Sequence, residues 1–485
     1  MKSLARQTAI YGLPSIVGRF LNWWLVPLYT YKLEKTADYG IVTNLYGWSA
    51  LFLVLLTYGM ETGLFRFINK KEENEPLKVY SSTLYSVGFT SLLFIAGILI
   101  FLTPINNSLG YAGTPEFIAL LGCITAVDAF CNISFAYLRY KNKALRFATL
   151  KSINILLNIL LNIFFFVVCP LLDSHLVGWF YNPGYGVGYI LIANVLTTLL
   201  TLLLLIPDMM PGLRVKPDWQ RLKAILRYSF PVLILGIAGI LNQTAAQILF
   251  PFLFDDKEYA NSQLGIYSAC FKIAVIMVMC IQAFRYAYEP FIFAQNRNAD
   301  SKKSYIQAMK YFIIFSLVIF LGVMFYLDII KHIVAPEYLA GLPVVPIVML
   351  GELFFGIYFN LSVWYKLTDR TKWGAYFSIF GYIVTVAIIV GFVPKYGFMA
   401  CAYASFVSNL LMMLASYFVG QKYFPISYDF RSALIYSLLT AICYVIAILP
   451  PIDSEILKIA YRTVILLIFI GFIIRKEFWS ILRKS

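Results

Sequence analysis

"IYGLPSIVGRFLNWWLVPLYTY" (residues 10–31) is an apolar stretch with a single charged side chain, Arg19. A helix of about 20 apolar residues crosses the ~30 Å hydrocarbon core of a bilayer. Stretches of this length recur along the 485-residue chain, which is 61% hydrophobic and 13% charged. Soluble proteins are about 25% charged. The sequence therefore predicts an all-α polytopic membrane protein.

The loops between the apolar stretches alternate in charge, and about fourteen transmembrane helices account for the alternation. Lys and Arg gather in one set of loops and at both ends of the chain, while the other set is nearly free of them. Because positively charged loops stay in the cytoplasm, both termini are expected there. The same distribution explains the net charge of +15 and argues against a role in binding nucleic acid.

The longest linker, residues 207–227, follows the sixth predicted span and is rich in proline and basic residues. No loop is long enough for a soluble domain, so this linker marks a boundary between two halves. Its end, DWQRLKAILR (218–227), is expected to form a short amphipathic helix on the inner surface. The predicted parts are an N-terminal six-helix bundle (1–206), a cytoplasmic linker (207–227), a C-terminal six-helix bundle (228–420), and two additional transmembrane helices with a cytoplasmic tail (421–485).

The start of the second half resembles the start of the first. Pro14 matches Pro231, and Asn22 matches Asn242 after a short gap. Two six-span halves with the same orientation indicate a parallel repeat, and transporters commonly bind their substrate between such repeats. The alternative is that proline and glycine simply recur at the starts of helices.

Arg19 lies near the middle of its apolar stretch, where a charge costs at least ~2.5–3.5 kcal/mol on insertion scales. Ser15, Arg19, Asn22 and Tyr29 share one face at helical spacing, so this face is not expected to contact lipid. Two interpretations remain open. Arg19 lines a water-filled cavity as a fixed cation, or it pairs with an acid such as Glu61 of the second span and serves packing.

The eighth predicted helix carries three charged side chains inside an apolar stretch. Lys272 has no acid nearby in its own helix, which favours a position in a cavity, whereas Arg285 and Glu289 are four residues apart and could pair. Asn242 of the seventh helix corresponds to Asn22 in the repeat. The candidate substrate-binding residues are Arg19, Asn22, Asn242, Lys272 and Arg285.

Four acids inside the predicted spans are candidates for ion coupling: Glu61, Asp128, Glu289 and Glu352. The fifth helix places Lys151, Asn154, Asn158 and Asn162 on one face, and asparagines at this spacing more often join helices by hydrogen bonds than bind a ligand. The seven cysteines are an odd number in apolar surroundings, and the two histidines lie far apart. No disulfide framework, metal site or cofactor is therefore expected.

A cationic cavity between two bundles would suit an anionic group such as a pyrophosphate, for which Arg19 would supply a fixed positive charge. Three stretches resemble a known family: LARQTAIYGLPSIVGRFLNWWLVPLYTYKLEKTADYGIV (4–42), YGMETGLFRF (58–67) and GIYSACFKIAVIMVMCIQAFRYAYEPFIF (265–293). They are similar to the Wzx-type polysaccharide flippases of the multidrug/oligosaccharidyl-lipid/polysaccharide superfamily. The resemblance extends over the whole chain.

This resemblance implies two six-helix lobes in a V that opens alternately to each side, plus two terminal helices. It implies a flippase rather than an enzyme. The substrate would be a polyprenyl-pyrophosphate-linked oligosaccharide, moved to the outer leaflet of the bacterial cytoplasmic membrane for O-antigen or other lipopolysaccharide biosynthesis. The implied partners are the bilayer, this lipid-linked substrate, a polysaccharide polymerase and chain-length machinery. Arg19 is the residue carried over, because the lipid II flippases of the superfamily keep an arginine in the first helix.

Three other functions fit parts of the sequence. A cation-coupled multidrug extruder of the same superfamily usually has twelve spans and an acid-dominated cavity, so the two extra helices and the mid-span Lys and Arg argue against it. A membrane polymerase, ligase or glycosyltransferase generally places catalysis in a large outer loop, and the outer loops here are short. A purely structural scaffold would leave the charges inside the spans unexplained.

Overall fold

The computed structural model of the protein describes residues 18, 20–21, 23–69, 75–111, 113–295, 301–368 and 370–482. These residues form helices and connecting segments, and no β-strand occurs among them. The helices are α1 (Leu25–Lys32), α2 (Thr36–Thr57), α3 (Met60–Ile68), α4 (Pro76–Ile100), α5 (Leu102–Leu109), α6 (Glu116–Tyr140), α7 (Ala144–Ile163), α8 (Ser174–Val177), α9 (Val187–Leu213), α10 (Trp219–Leu249), α11 (Lys257–Gln295), α12 (Ser301–Phe325), α13 (Leu327–Ile330), α14 (Val344–Leu361), α15 (Val363–Leu367), α16 (Lys372–Tyr396), α17 (Met399–Tyr423), α18 (Phe430–Ile448) and α19 (Glu455–Leu482).

Thirteen helical segments of the described residues are long and apolar enough to cross a membrane. Each corresponds to one of the predicted spans after the first. The first predicted span includes the apolar stretch 10–31 and lies partly outside the described residues, and α1 is its described end. The prediction of an all-α polytopic membrane protein is therefore confirmed, while the V arrangement of two lobes stays a prediction.

The chain divides into two compact units. Unit 1 comprises Met1–Ala269 and Thr385–Phe398, and unit 2 comprises Cys270–Val384 and Met399–Ser485. The boundaries after residues 269 and 384 fall inside the long helices α11 and α16. The division into the parts 1–206, 207–227, 228–420 and 421–485 was inferred from the linker and the internal repeat, and it stays a prediction.

The flanking helices extend into the predicted linker from both sides. Helix α9 continues through Pro207 and Pro211 to Leu213, and α10 begins at Trp219. Asp218 caps α10, because its carboxylate accepts hydrogen bonds from the backbone N–H groups of the second and third residues after it. The expected short surface helix over 218–227 is therefore corrected: these residues are the first turns of a transmembrane helix.

The second span is broken between α2 and α3. Tyr58 and Gly59 have positive φ angles of 29° and 72°. Gly59 packs so closely against α10 that an added Cβ would lie 2.7 Å from the carbonyl oxygen of Ser229. The Ser229 hydroxyl in turn donates a hydrogen bond to the carbonyl oxygen of Gly59 at 3.2 Å. This break places Glu61 in the first turn of α3 rather than in the middle of a continuous helix.

Within unit 2, helix α19 is fastened near both ends. Arg462 and Glu477 are both buried, with exposed fractions of 8% and 7%. The guanidinium of Arg462 donates to the Asp328 carboxylate at 2.8 Å, while Glu477 pairs with Lys310 at 2.7 Å. The hydroxyl of Tyr436 on α18 also donates to Glu477, at 2.5 Å. Polar contacts therefore join α18 and α19 to the region of α12 and α13.

Candidate functional site

The two candidates on the first predicted span, Arg19 and Asn22, lie outside the described residues, and their roles stay predictions. The described end of the same span packs within unit 1. Tyr29, which shares the predicted polar face with Arg19, is buried and donates a hydrogen bond from its hydroxyl to Asn162 Oδ1 at 2.9 Å. That end of the polar face therefore contacts protein.

The asparagine face of α7 joins helices by hydrogen bonds, as predicted. Asn162 Nδ2 lies 3.3 Å from Asn158 Oδ1, and Asn158 Nδ2 donates to Asn194 Oδ1 on α9 at 3.1 Å. Asn194 Nδ2 in turn donates a hydrogen bond to the hydroxyl of Tyr46 on α2 at 2.7 Å. Asn154 donates to the Thr201 hydroxyl at 2.9 Å. The prediction of helix-joining asparagines is confirmed.

Glu61 forms an ion pair with Arg139 of α6, whose terminal nitrogen donates to the Glu61 carboxylate. The guanidinium of Arg139 also lies 5.1 Å from the ring centre of Phe65. The side chains of Arg139 and Glu61 are 33% and 42% exposed, so water reaches the pair. The sequence suggested Glu61 as a partner for Arg19. The structure places the cation of Arg139 beside Glu61, while the suggested pairing with Arg19 lies outside the described residues and stays a prediction.

Asp128 lies in a second polar group of unit 1. Its carboxylate accepts a hydrogen bond from the Thr198 hydroxyl at 3.2 Å and interacts electrostatically with Lys151 of α7. The Lys151 ammonium lies 4.2 Å from the ring centre of Phe135. From the sequence, Lys151 was assigned only to the asparagine face, and its role as a charge partner was not predicted. The feature that could have indicated this role is the presence of a lysine inside an apolar span.

Asn242 contacts a residue from a distant part of the chain within unit 1. Its side-chain oxygen accepts a hydrogen bond from the Thr385 hydroxyl at 2.8 Å. Thr385 begins the part of α16 that belongs to unit 1. This contact joins α10 to α16, so the described geometry gives Asn242 a structural contact, while a role in binding substrate stays a prediction.

Unit 2 brings two cations to one aromatic ring. The Arg285 guanidinium lies 4.0 Å from the ring centre of Phe359, and the Lys366 ammonium lies 4.4 Å from the same centre. The ring is buried, and both cations are partly exposed. Lys272, also on α11, is partly buried. Lys366 is not among the candidates predicted from the sequence, and only the packing of α14 and α15 against α11 reveals its place beside Arg285.

The remaining acidic candidates also lie on helices of unit 2. Glu352 is partly buried on α14, next to Gly351, where an added Cβ would lie 3.0 Å from Phe406 Cα. Glu289 falls on α11, and its side chain lies outside the described part of the structure. Among the described residues, no group of three or more His, Cys, Asp or Glu side chains could hold a metal ion.

A family model matches the sequence of this chain, and several solved structures match its fold. A family model described as polysaccharide biosynthesis protein matches residues 4–293. A solved structure of the lipid II flippase MurJ in an inward closed conformation matches with a TM-score of 0.73 at 16% identity, covering 96% of this chain and 99% of that one. No curated protein matches the chain.

Multidrug transporters share the fold as well. An inward-facing structure of a multidrug resistance MATE family transporter of the MOP superfamily matches with a TM-score of 0.63 at 14% identity, covering 86% of this chain and 94% of that one. A MATE structure in the bent conformation matches with a TM-score of 0.56 at 14% identity, covering 90% and 97%. These likenesses confirm the resemblance to the superfamily at the level of the fold.

Proposed function

This chain belongs to the polysaccharide biosynthesis protein family, and we propose that it is a flippase for a polyprenyl-pyrophosphate-linked oligosaccharide. In this proposal the protein moves its substrate from the cytoplasmic to the outer leaflet of a bacterial inner membrane by alternating access. The product would supply a surface polysaccharide such as the O-antigen of lipopolysaccharide, with a polymerase and chain-length machinery acting downstream.

The family match is the observation that carries the proposal, because it links a polytopic membrane chain to polysaccharide biosynthesis. The polar chemistry of the spans supports it. A pyrophosphate cannot enter a low-dielectric protein interior without compensating cations, because an unpaired buried charge is prohibitively costly. Arg285 and Lys366 supply two cations at one ring, and Lys272 lies on the same helix as Arg285.

In the proposed mechanism these cations and Arg19 neutralise the pyrophosphate while the sugars occupy a polar cleft. The lipid tail stays in the surrounding bilayer. Glu61, Asp128, Glu289 and Glu352 are the acids whose protonation could couple the cycle to an ion gradient. Glu61 and Asp128 interact with Arg139 and Lys151, so a protonation change at either acid would alter a charge pair.

The test is export in a strain that lacks this gene. Restoring the gene should return surface glycan and clear the lipid-linked oligosaccharide that accumulates on the cytoplasmic side. Lys272→Ala should abolish this rescue at normal protein abundance, whereas Lys223→Ala, on the exposed first turns of α10, should not. Full export by Lys272→Ala would remove that residue from the site.

Arg19 is tested in the same assay. Arg19→Ala and Arg19→Gln should both fail at normal abundance, and Arg19→Lys separates a requirement for charge from a requirement for the bidentate guanidinium. The competing multidrug function predicts the opposite pattern. Normal surface glycan together with increased drug sensitivity in the deletion strain would replace the flippase proposal with a drug extruder, whose fold the chain shares.

A further inference from the structure

A group of large apolar side chains is exposed just beyond the end of the fifth predicted span. The segment LLDSHLVGWF (171–180) follows α7 and includes the short helix α8. Leu171, Leu176 and Trp179 have exposed fractions of 81%, 66% and 84%. Leu171 ends the candidate membrane span Ala144–Leu171, and Leu176 and Trp179 lie beyond it. A group of large exposed apolar side chains marks a surface that contacts a membrane or another partner.

The exposed side chains continue the apolar surface of the preceding span. Leu156, Leu160 and Ile163 recur at helical spacing on α7 and have exposed fractions of 53%, 61% and 39%. They lie away from Asn158 and Asn162, which are buried and bond to other helices of unit 1. An apolar helix face that is exposed in a membrane protein contacts lipid, and this face leads directly into the segment.

Local contacts hold the exposed side chains in place. The indole nitrogen of Trp179 donates a hydrogen bond to the carbonyl oxygen of Leu176 at 3.1 Å. The ring of Phe180 packs edge-on against Trp179 at 4.8 Å and is stacked with Phe164 at 6.4 Å. Val177 is buried beneath them. These contacts hold the rings of Trp179 and Phe180 in place, while the Trp179 ring stays exposed.

The chemistry of the segment fits the boundary between lipid chains and headgroups. Tryptophan is enriched at this level because its apolar ring and polar N–H suit the two sides of the boundary. The segment contains Asp173 and His175, which are exposed, and no Lys or Arg. We propose that residues 171–180 form an interfacial anchor, in which Leu171, Leu176 and Trp179 insert into the bilayer surface beside α7. This inference does not depend on which substrate the protein moves.

The proposal is tested by measuring depth in the bilayer. The native cysteines are replaced, and the full-length protein in lipid nanodiscs receives a single cysteine carrying an environment-sensitive fluorophore at one of three positions. Leu176→Cys and Trp179→Cys report the proposed anchor, and Asn182→Cys reports an exposed polar residue of the same loop. Lipids brominated near the top of the acyl chain should quench the first two labels several-fold more than the third, and aqueous iodide should give the reverse order.

Equal quenching of all three labels by aqueous iodide would overturn the anchor. A loss of lipid quenching at positions 176 and 179 when soluble oligosaccharide is added would also overturn it. The exposed aromatic surface would then bind sugar rings instead of lipid. Thermal unfolding of each labelled protein checks that the fold survives labelling. A variant that unfolds early is replaced by Leu171→Cys, whose side chain belongs to the same exposed surface.

Discussion

At the scale of single residues, the charged side chains inside the spans are organised as partners. Glu61 and Arg139 are 78 residues apart in the sequence and form an ion pair between α3 and α6. Arg285 and Lys366 both lie against the ring of Phe359. A cation over an aromatic face is attracted by the quadrupole of the ring, so the ring helps to hold two like charges close together.

The Glu61–Arg139 pair yields a prediction about abundance. Arg139→Ala should lower the accumulation of folded protein, because a carboxylate in the second span loses its cation. We expect a loss of about 1–2 kcal/mol, below the 3–5 kcal/mol of fully buried pairs, since water reaches both side chains. The double variant Arg139→Ala/Glu61→Ala should recover much of this loss in a detergent thermal-stability assay.

The corresponding double variant at Arg19 tests the role of Arg19. If Arg19 were instead the packing partner of Glu61, Arg19→Ala/Glu61→Ala would recover both abundance and export. We expect no such recovery, because Arg139 already contacts Glu61. If abundance recovered in the Arg19→Ala/Glu61→Ala variant and did not recover in the Arg139→Ala/Glu61→Ala variant, the pairing of Glu61 with Arg139 would be contradicted.

At the scale of elements, the break in the second span depends on a glycine. In Gly59→Ala, the added Cβ would lie 2.7 Å from a backbone oxygen of α10, at a φ of +72° that alanine rarely adopts. We expect a loss of about 1–3 kcal/mol in the free energy of unfolding. Gly97→Ala on α4 is the matched control, since nothing lies within 4 Å of its added Cβ. A neutral Gly59→Ala would mean that the break relaxes easily.

The attachment of α19 at Asp328 predicts a dependence on acidity. Burial alone would raise the pKa of this carboxyl, but the cations of Lys458, at 2.7 Å, and Arg462 hold it below its usual range. Because the folded pKa lies below the unfolded value of about 3.9, the contribution is complete above that pH and is lost as the pH falls through the folded pKa.

Thermal unfolding across this range is the measurement. The wild-type protein should lose this part of its stability as the pH falls below about 4. Asp328→Asn should be less stable at pH 7 and should lack this part of the pH dependence. Asp429→Asn, which keeps an amide oxygen to accept the backbone N–H at the start of α18, serves as a comparison outside the cluster. Parallel pH profiles for the wild type and Asp328→Asn would show that the ion pairs contribute nothing.

At the scale of the whole molecule, the charge alternation of the loops predicts the orientation of the chain. Ser108 on the short helix α5 and Ser454 just before α19 are exposed in connections nearly free of basic residues, whereas Lys216 is exposed between α9 and α10. A membrane-impermeant thiol reagent applied to intact cells should label Ser108→Cys and Ser454→Cys, and it should label Lys216→Cys only after the membrane is opened. Labelling of Lys216→Cys from outside would reverse the predicted topology.

Hydropathy alone determined the spans and the class of fold. A bilayer offers no hydrogen bonds, so each crossing must be an apolar helix of a set length, and that requirement is local in the sequence. The asparagine face of α7 could also be predicted from local sequence, because helical periodicity places its members on one side of the helix. The extension of α9 and α10 into the predicted linker could not be predicted, because the proline and basic residues there suggested a loop. The cap at Asp218, which starts α10, acts across only a few residues.

Only the tertiary structure decided which charges meet. Arg139 reaches Glu61, Lys151 approaches Asp128, and Lys366 shares a ring with Arg285 because particular helices pack side by side. Many arrangements of the same apolar helices would be equally stable in lipid, because lipid chains are as apolar as the helix surfaces. The hydrophobic effect therefore does not choose which helix faces pack together. Close contacts such as Gly59 against α10 and Gly351 against α17 select one packing, and that selection assigns each charge its partner.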